Sequence, residues 1–407
     1  MDIYRAEVID PGDQASRLAK QINYESFSNC PAVDVYPHQP GNFRGPVGYS
    51  WKRHILEQML GNRFTLHDTF DWVMLEEIEN DGAGGKPQFF SLIGTPKVFE
   101  GLGWEIITMT ADDFARSGRF PAIIVNELNV KRLTKGNFPL VEECYQGFGR
   151  ACRQAGLVSL TGETAVMKHS ITAFCDQDSD AQLILTWGAA CVGLAHREKL
   201  IDGSGIKPDM PIVGFWEPGY RCNGGTFFTN LLLSVYGSVG KIRASEQAMS
   251  FVYKLTVPSV SYARLICRFI GWNDDGSIRP PLARIEGIAH ITGGGVWGKF
   301  GELLPEGVGA DLSSMPRPTP VLLEAQELSW TTKNHLSDWR AYSTLHGGCG
   351  MLVVCATDAD AKRVLAEAAT MRILAYPVGI TTKSPERLVT ITSRFKEGKL
   401  LRSDQPE

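Results

Sequence analysis

The stretch from Ile285 to Leu312, IEGIAHITGGGVWGKFGELLPEGVGADL, decides how the fold is interpreted. The apolar run that ends at His290 predicts a strand, and the run after the glycines predicts a helix. Three consecutive glycines, Gly293 to Gly295, connect the two. A backbone without Cβ atoms at a helix start lets amide groups approach an anion, and the helix adds partial positive charge. The stretch therefore predicts either a phosphate-binding turn or a tight connection without a ligand.

A second glycine turn, RCNGG, spans Arg221 to Gly225 and precedes the helix-like segment TFFTNLLLSVYG. Its Arg221 offers a guanidinium, which binds phosphate oxygens in pairs. Cys222 has the reactivity of a nucleophile but no evident histidine partner, so packing as a small residue is favoured. Two such turns in the second half of the chain favour a phosphate ligand over two plain connections.

Three strand-like segments each lead to one or more carboxylates. The segments are Phe70–Asn80, Trp104–Thr110 and LVSL at 157–160, and the carboxylates are Asp81, Asp112, Asp113 and Glu163. Acids at strand ends commonly line sites in α/β proteins, and their oxygens suit Mg²⁺ beside phosphates. In DGAGGK, Lys86 would balance phosphate charge. The alternative for each acid is a turn or cap residue, and for Asp112 in particular a cap of the helix-like segment DFARSG.

His290 changes charge near neutral pH, so it could serve as a general acid or base or as a donor to phosphate. Its apolar flanks, IEGIA and IT, equally fit a buried core histidine. The other histidines lack the spacing of a transition-metal site. The sequence has no G-x-S-x-G elbow, no Walker A motif and no H-E-x-x-H motif, which argues against the common hydrolase, P-loop and zinc-protease classes.

The length and composition predict a globular protein of more than one domain. The 407 residues are 43% hydrophobic and 21% charged, and they exceed what one ordinary core accommodates. The turn-rich segment Asp202–Pro211 predicts a domain boundary, which divides the chain into residues 1–201 and 202–407. The spacing of apolar residues over Leu140–Ala155 predicts a helix that ends at Gly156.

The charge and the cysteine content indicate which binding partners and which cellular compartment to expect. A formal net charge of -4 gives no reason to expect a polyanion, so nucleic acid is not an expected partner. Nine cysteines without a C-x-x-C pair predict free thiols in a reducing compartment. No run of eighteen apolar residues and no apolar N-terminal signal segment occur, so we expect a cytoplasmic protein without a membrane span.

Several motifs, taken in order, match those of one enzyme family. AHITGGG and LLPEGVGADL are similar to its C-terminal signature, DGAGGK to its D-G-x-G-T-K motif and TADDFARSGRFP to its N-D-x-x-x-x-G-x-x-P segment. LTGETAVM resembles its G-G-E-T-A-E-M, RCNGG its H-S-N-G turn, and IYRAEVIDPGDQASRLAK its N-terminal segment with an ATP-site lysine. Over nearly its whole length the chain resembles the aminoimidazole ribonucleotide (AIR) synthetase family, the cyclo-ligases of purine biosynthesis.

The resemblance implies an α/β fold of the α+β type, with two AIR synthase-like domains whose mixed sheets are covered by helices. Residues 1–201 would form the domain that binds ATP and Mg²⁺ and forms a homodimer, and residues 202–407 the domain that binds the substrate phosphate. The implied reaction begins when ATP activates the formyl oxygen of formylglycinamidine ribonucleotide as a phosphate ester. A ring nitrogen then attacks, and phosphate leaves.

The resemblance also implies roles for individual residues. Asp81 and Asp113 would hold Mg²⁺ and nucleotide phosphates. The catalytic residues would be His290, Asp113 and Lys20. The cofactor-binding residues would be Asp81, Gly82, Lys86, Glu163 and Thr164. The substrate-binding residues would be Arg221, Asn223, Gly224, Gly293, Gly294 and Gly295.

Six positions depart from the family motifs. Gly85 replaces a threonine, Asp112 an asparagine, Val166 a glutamate, Arg221 a histidine, Cys222 a serine and His346 an asparagine. Two alternatives therefore stand beside the cyclo-ligase: a superfamily member that uses ATP on another acceptor, and a nucleotide-binding regulatory protein without turnover. The joint presence of the acids, the lysine and the histidine named above argues against the regulatory protein.

Overall fold

A computed structural model describes residues 29, 33–36, 48–51 and 75–406, apart from 178 and 334. Within these residues the chain builds two β-sheets with helices packed on them, which confirms the predicted mixed α/β architecture. Lys20 lies outside the described residues, so its predicted role stays a prediction. Among the described helices, none combines the length and the apolar character needed to cross a membrane.

The first sheet has six described strands in the order β1-β2-β3-β6-β4-β5. The strands are β1 (Val33–Tyr36), β2 (Gly48–Trp51), β3 (Leu75–Gly82), β4 (Phe120–Val130), β5 (Val158–Val166) and β6 (Leu185–Ala195). Only the β4–β5 pair is parallel in this sheet. β3 confirms the first predicted strand and continues through Asp81, whereas Glu163 lies inside β5 and not beyond its end.

The helices of the first half are α1 (Pro87–Ile93), α2 (Pro96–Ala115) and α3 (Phe138–Ala155). The strand predicted at Trp104–Thr110 is wrong, because this segment forms the middle of α2. Its run of Ile and Thr has strand propensity, but α2 is packed on several sides by α3 and the sheet, so most of its faces are apolar. The helix predicted at Leu140–Ala155 is confirmed, and Gly156 ends it with φ 72°.

The second sheet has seven described strands in the order β13-β12-β9-β11-β7-β10-β8. The strands are β7 (Pro211–Trp216), β8 (Ile285–His290), β9 (Val308–Leu312), β10 (Cys349–Cys355), β11 (Ala375–Lys383), β12 (Val389–Thr392) and β13 (Leu400–Arg402). The helices of this half are α4 (Gly225–Tyr236), α5 (Val239–Ala244), α6 (Glu246–Leu255), α7 (Ala263–Ile270), α8 (Gly295–Gly301), α9 (Pro320–Ser329), α10 (Asp338–Thr344) and α11 (Asp358–Thr370).

The strand, glycine turn and helix predicted from Ile285 onward are confirmed as β8 and α8. Gly294 and Gly295 have φ values of 87° and 61°, the left-handed region that favours glycine. A Cβ atom on Gly295 would lie 2.2 Å from the carbonyl oxygen of Tyr342. The glycines are therefore required by the connection itself, whether or not a ligand binds there.

The hydrophobic core crosses the predicted domain boundary. Sheet membership changes between Ala195 and Pro211, where the boundary at 202 was predicted. Yet Phe89 of α1 packs edge-on against Tyr220, with ring centroids 6.0 Å apart, and one buried cluster joins α2 to residues of α7 and β10. The two halves are thus packed on a shared apolar interface, and the division into two domains stays a prediction.

The cysteines agree with the predicted free thiols. The eight cysteines that the structure describes are all free and buried. They include Cys222, whose thiol has its pKa raised well above its ordinary value by burial and by the nearby carboxylate of Glu105. A thiol in this state is a poor nucleophile, so the packing interpretation of Cys222 fits the structure better.

Candidate active site

Two carboxylates, Asp81 at the end of β3 and Asp113 on helix α2, lie near enough for their charges to interact. Asp81 is half-buried, and its Oδ1 accepts a hydrogen bond of 2.7 Å from the backbone amide of Gly82. Burial, followed by the charge of Asp113, raises the pKa of Asp81 to about 7. Two acids that repel each other in this way favour a bound cation or a shared proton. The structure therefore brings together the two residues that were predicted to hold Mg²⁺.

Asp113 is held by charged and polar neighbours on two sides. Its Oδ1 lies 3.0 Å from Nε of Arg116 and 2.8 Å from Nδ1 of His290. Burial alone would raise its pKa, but the Arg116 guanidinium and the His290 hydrogen bond outweigh burial and hold the pKa well below its usual range. Asp113 is therefore a carboxylate at any physiological pH.

Cationic side chains flank this acidic pair. Arg116 packs beside Asp113, and Lys299 of α8 lies close enough to interact with the charges of Asp113 and Asp81. Burial and the charge of Arg116 lower the pKa of Lys299. Gly293, in the turn that leads to Lys299, is exposed. Acidic and basic groups thus border one half-open region that includes the glycine turn.

The glycine turns of the two halves pack backbone against backbone. A Cβ atom on Gly85 would lie 3.0 Å from Cα of Gly225, and one on Gly84 would lie 2.8 Å from the carbonyl oxygen of Cys222. A Cβ atom on Gly293 would lie 3.3 Å from Oδ1 of Asn223. Three turns that are far apart in the sequence therefore meet at one place. The contact with Gly225 also explains why Gly85 stands where the family has threonine, since a branched side chain has no room there.

Arg221 does not face an open phosphate site. Its side chain is fully buried, and its Nη2 and Nη1 lie 2.8 Å from Asp112 and 2.5 Å from Glu217, both of which are also fully buried. Its Nη1 also donates to the carbonyl oxygen of Val260 at 2.8 Å. The guanidinium that was predicted to bind phosphate is used in an internal ion network.

Asp112 caps a helix, but not the predicted one. It lies inside α2, so its interpretation as the cap of DFARSG is wrong. Its Oδ1 instead accepts hydrogen bonds from the amides of Tyr262 and Ala263, at 2.7 and 2.8 Å, at the start of α7. Burial raises the pKa of Asp112 to about 6, opposed by the charge of Arg221. One side chain thus joins the first half of the chain to a helix and a turn of the second.

Lys86 is likewise buried, in a second ion pair. Its Nζ lies 2.6 Å from Oε1 of Glu105 and donates to the carbonyl oxygen of Val257 at 2.8 Å. In this position the ammonium faces the interior and not the region around Asp81. Glu105 was not selected from the sequence, because its segment was interpreted as a strand. On a helix, Glu105 and Asp112 are seven residues apart and share one face, which is the signal that was available.

Glu163 and Thr164 lie away from the two acids on the first sheet. Gly82 on β3 pairs with Gly188 on β6, Gly188 pairs with Glu127 on β4, and Glu127 pairs with Glu163 on β5. Three strand spacings place Glu163 about 14 Å from Gly82. Both Glu163 and Thr164 are exposed on the edge strand β5, where Val166 also lies. A single chain does not bring these residues to Asp81.

His346 is a buried structural histidine. Its Nδ1 accepts from the amide of Gly348 at 3.1 Å, so its Nε2 donates to the carbonyl oxygen of Gly219 at 2.7 Å. Burial lowers its pKa to about 3, although the hydrogen bond to Gly219 opposes this effect. The histidine that stands in place of the family's asparagine therefore holds the loop that leads to Arg221.

The donor set suits a magnesium ion shared with a ligand better than a metal held by protein alone. Within the described part of the chain, no group of three or more His, Cys, Asp or Glu side chains is arranged to hold a metal ion. Mg²⁺ commonly binds through one or two carboxylates, with water and phosphate oxygens as the other ligands. The mutually repelling acids Asp81 and Asp113 fit that requirement.

Two family models match this chain, one in each half. The model of the AIR synthase related protein, N-terminal domain, matches residues 77–194, and that of the C-terminal domain matches residues 278–391. The chain belongs to the AIR synthase related family. Together the two matches cover the β3 and α2 acids, the first sheet from β3 onward, and His290 with its glycine turn.

Curated relatives of the chain are phosphoribosylformylglycinamidine cyclo-ligases. The protein from Synechococcus sp. (strain CC9605) is 27% identical over 290 residues, which are 69% of this chain and 73% of the relative. The protein from Thermococcus kodakarensis is 27% identical over 237 residues, 58% of this chain and 61% of the relative. At this distance the family is clear while the substrate is free to differ.

Solved structures support the fold. The hydrogenase maturation protein HypE in complex with ATP aligns with a TM-score of 0.54 and 14% identity, covering 86% of this chain and 89% of HypE. T. maritima PurL complexed with FGAR aligns with a TM-score of 0.50 and 15% identity, covering 80% of this chain and 44% of PurL. These likenesses show a shared fold.

Restoring the family's threonine at Gly85 should destabilise the protein. We expect Gly85→Thr to lower the free energy of unfolding by about 1–3 kcal/mol, because the new side chain overpacks the contact with Gly225. Urea denaturation measures this change. Gly240→Thr is the matched control, since no atom lies within 4 Å of a Cβ at Gly240. Equal stability of the two variants would show that Gly85 is not constrained by packing.

His346 should make the protein sensitive to acid. Its pKa is about 3 in the folded protein and about 6.5 when unfolded, so only the unfolded state gains this proton as the pH falls below about 6.5. Stability is therefore lost on acidification. Between pH 7 and pH 5, we expect the wild type to lose about 2 kcal/mol more than His346→Asn. Parallel losses in urea titrations at the two pH values would contradict the burial of a neutral His346.

Proposed function

We propose that the chain is an ATP- and Mg²⁺-dependent cyclo-ligase that converts formylglycinamidine ribonucleotide to aminoimidazole ribonucleotide in purine biosynthesis. The observation that carries the proposal is the close acidic pair Asp81 and Asp113, flanked by Arg116 and Lys299 at the meeting point of the glycine turns. The names of the curated relatives and the ATP complex of HypE support the same class of chemistry.

The acidic pair and its cations have complementary uses in phosphoryl transfer. Mg²⁺, when bound, would neutralise phosphate oxygens and the charge that develops during transfer. Asp81 and Asp113 would hold it, and its charge would keep Asp81 ionised against the burial and the repulsion by Asp113 that otherwise raise the pKa of Asp81 to about 7. Arg116 and Lys299 would stabilise the phosphate charge that the metal does not reach.

The second substrate would bind beside the exposed glycine turn. Gly293 and Gly294 are exposed, so their backbone can approach a ribonucleotide phosphate. Asn223 lies against the same turn, and Gly224 is beside it, in agreement with their proposed roles in substrate binding. A formyl oxygen placed between this turn and the acidic pair would be positioned to accept the phosphoryl group of ATP, after which ring closure expels phosphate.

The remaining nucleotide-site residues point to a homodimer. Glu163 and Thr164 lie on β5, an exposed edge strand on which Val158 and Leu160 are 59% and 66% exposed. An apolar edge of this kind is normally covered by another chain. We propose a second copy as the cover, with Glu163 and Thr164 at the dimer interface. Sedimentation of the purified protein should give a species of twice the chain mass, and a monomer at micromolar concentration would exclude this arrangement.

A different acceptor is the second candidate, and the state of Arg221 favours it. The turn that carries histidine and serine in the family here carries a guanidinium buried between Asp112 and Glu217 and a buried thiol. These groups make no contact with an open site. If the family's side chains in this turn recognise the ribonucleotide, this chain must recognise its substrate by other groups or use another oxygen acceptor.

The deciding assay mixes the purified protein with formylglycinamidine ribonucleotide, ATP and Mg²⁺ and follows ADP and aminoimidazole ribonucleotide by mass spectrometry. We expect both products in equal amounts. Asp113→Asn should lower kcat by about 100-fold or more, because the neutral amide no longer supplies the charge that holds Mg²⁺. Asp358→Asn, an exposed acid at the start of α11, is the matched control.

The outcomes separate the candidates. Unchanged turnover in Asp113→Asn would refute the assignment of the metal site. ATP binding without either product would refute the cyclo-ligase reaction and leave the fold and the nucleotide site standing. ADP release only after another amide or oxygen acceptor is added would identify the second candidate.

A further inference from the structure

We propose that Arg221 is a positioning residue, which holds the His290 ring in one orientation and one tautomer and through it directs the carboxylate of Asp113. The three side chains form a continuous chain of contacts. Nη2 of Arg221 lies 2.6 Å from Nε2 of His290, and Nδ1 of His290 lies 2.8 Å from Oδ1 of Asp113. The chain of contacts starts in the internal ion network and ends at the candidate metal site.

Arg221 is itself immobile, because all four hydrogens on its terminal nitrogens have acceptors. Nη1 donates to Glu217 Oε2 at 2.5 Å and to the carbonyl oxygen of Val260 at 2.8 Å. Nη2 donates to Asp112 Oδ2 at 2.8 Å and is directed at His290. The guanidinium also lies 4.9 Å from the ring centre of Tyr262. Only Nε of Arg221, which is buried, makes no hydrogen bond to a described residue. A planar group held at both terminal nitrogens does not turn away from the histidine.

The chemistry of the guanidinium decides the tautomer of His290. Arginine has only donors, so Nε2 of His290 must be the acceptor of the Nη2 contact. A neutral imidazole then carries its proton on Nδ1, and this N–H donates to Asp113. An imidazolium would place one N–H group against another. His290 is 1% exposed, and both ring nitrogens are engaged, so it neither gives nor takes a substrate proton in this state.

The fixed histidine in turn directs Asp113. Oδ1 of Asp113 is held from two sides, by His290 at 2.8 Å and by Nε of Arg116 at 3.0 Å. Among the residues that the structure describes, Oδ2 accepts a longer hydrogen bond of 3.4 Å from Nη2 of Arg116. Oδ1 of Asp113 is therefore bound by protein side chains, and Oδ2 is available to a ligand. Such outer contacts commonly decide the direction and basicity of a metal-binding carboxylate.

The same geometry links two of the sequence departures. Asp112 and Arg221 stand where the family has asparagine and histidine, and here they are ion-paired with each other inside the protein. Replacing Arg221 alone would leave the carboxylate of Asp112 without its guanidinium in the interior, which is strongly unfavourable, whereas replacing Asp112 alone leaves Arg221 paired with Glu217. A change at Arg221 therefore requires a change at Asp112. The carboxylate also caps α7, which ties the exchange to the packing of the two halves.

The test is ¹⁵N NMR of protein labelled in its histidine side chains, at pH 7, where the nitrogen shifts report which ring nitrogen carries the proton. His290 should show a protonated Nδ1 and an unprotonated Nε2, and its signals are assigned by their loss in His290→Asn. His346 is the internal control with the opposite state, because its Nδ1 accepts from Gly348 and its Nε2 donates to Gly219. An Nε2-protonated or doubly protonated His290 would overturn the proposal.

Substitutions at Arg221 and Asp112 test the coupling. In Arg221→Met the donor to Nε2 of His290 is gone, so the ¹⁵N signal of that nitrogen should shift while those of His346 stay in place. If Arg221→Met does not fold, the exchange Asp112→Asn with Arg221→His should have a higher Tm than Arg221→His alone, because it removes the carboxylate that the guanidinium paired. Unmoved His290 signals in Arg221→Met would contradict the proposal. If the double variant melted below Arg221→His, the pairing would be refuted.

A binding measurement tests the effect on Asp113. Mn²⁺ binding followed by electron paramagnetic resonance should weaken by about 10-fold or more in Arg221→Met, as is common when an outer contact of a metal ligand is lost. The effect on metal binding at Asp113 rests on the proposed function, whereas the tautomer of His290 does not. A correct tautomer without any Mn²⁺ binding would refute the metal site alone, and unchanged Mn²⁺ affinity with altered His290 signals would refute the control of Asp113 by Arg221.

Discussion

The buried ion pair between Asp112 and Arg221 is the constraint on which the rest of this structure depends. Both side chains are fully buried, and each also binds other groups, Asp112 the start of α7 and Arg221 the carboxylate of Glu217. Two charges removed from water are favourable only when every partner is in place. The pair therefore fixes how the first half of the chain meets the second, and its position directly behind Asp113 couples that interface to the candidate active site.

The glycine turns let the two halves of the chain approach closely enough for this ion network to form. Charged side chains fill the interior of the interface, while Gly84 and Gly85 on one side and Gly225 on the other allow the backbones to touch. Side chains larger than hydrogen at these positions would separate the two halves and withdraw the ion pairs from each other. Bare backbone predicted either ligand binding or a tight connection, and in all three turns it serves protein packing.

How much the sequence could predict depended on whether a signal was local. β8, its glycine turn and α8 could be predicted, because apolar periodicity and glycine act within a few residues. Helix α2 could not, because β-branched Ile106 and Ile107 favour a strand locally and only burial on several sides makes the helix stable. Asp81 and Asp113 were selected both from the strand-like runs before them and from the family motifs, and their charges do interact in the structure, although the run before Asp113 is a helix. The buried state of Lys86 and Arg221 was missed, since charged residues are rarely interior and their partners are distant in sequence.

The central claim is that phosphates and a divalent ion bind at Asp81 and Asp113, on the outer side of the buried network. The most direct measurement is anomalous diffraction from crystals grown with Mn²⁺ and a non-hydrolysable ATP analogue. We predict one manganese peak within bonding distance, about 2.2 Å, of carboxylate oxygens of both residues, with phosphate oxygens completing its coordination. Nucleotide bound elsewhere, or bound here without manganese at these two carboxylates, would contradict the claim.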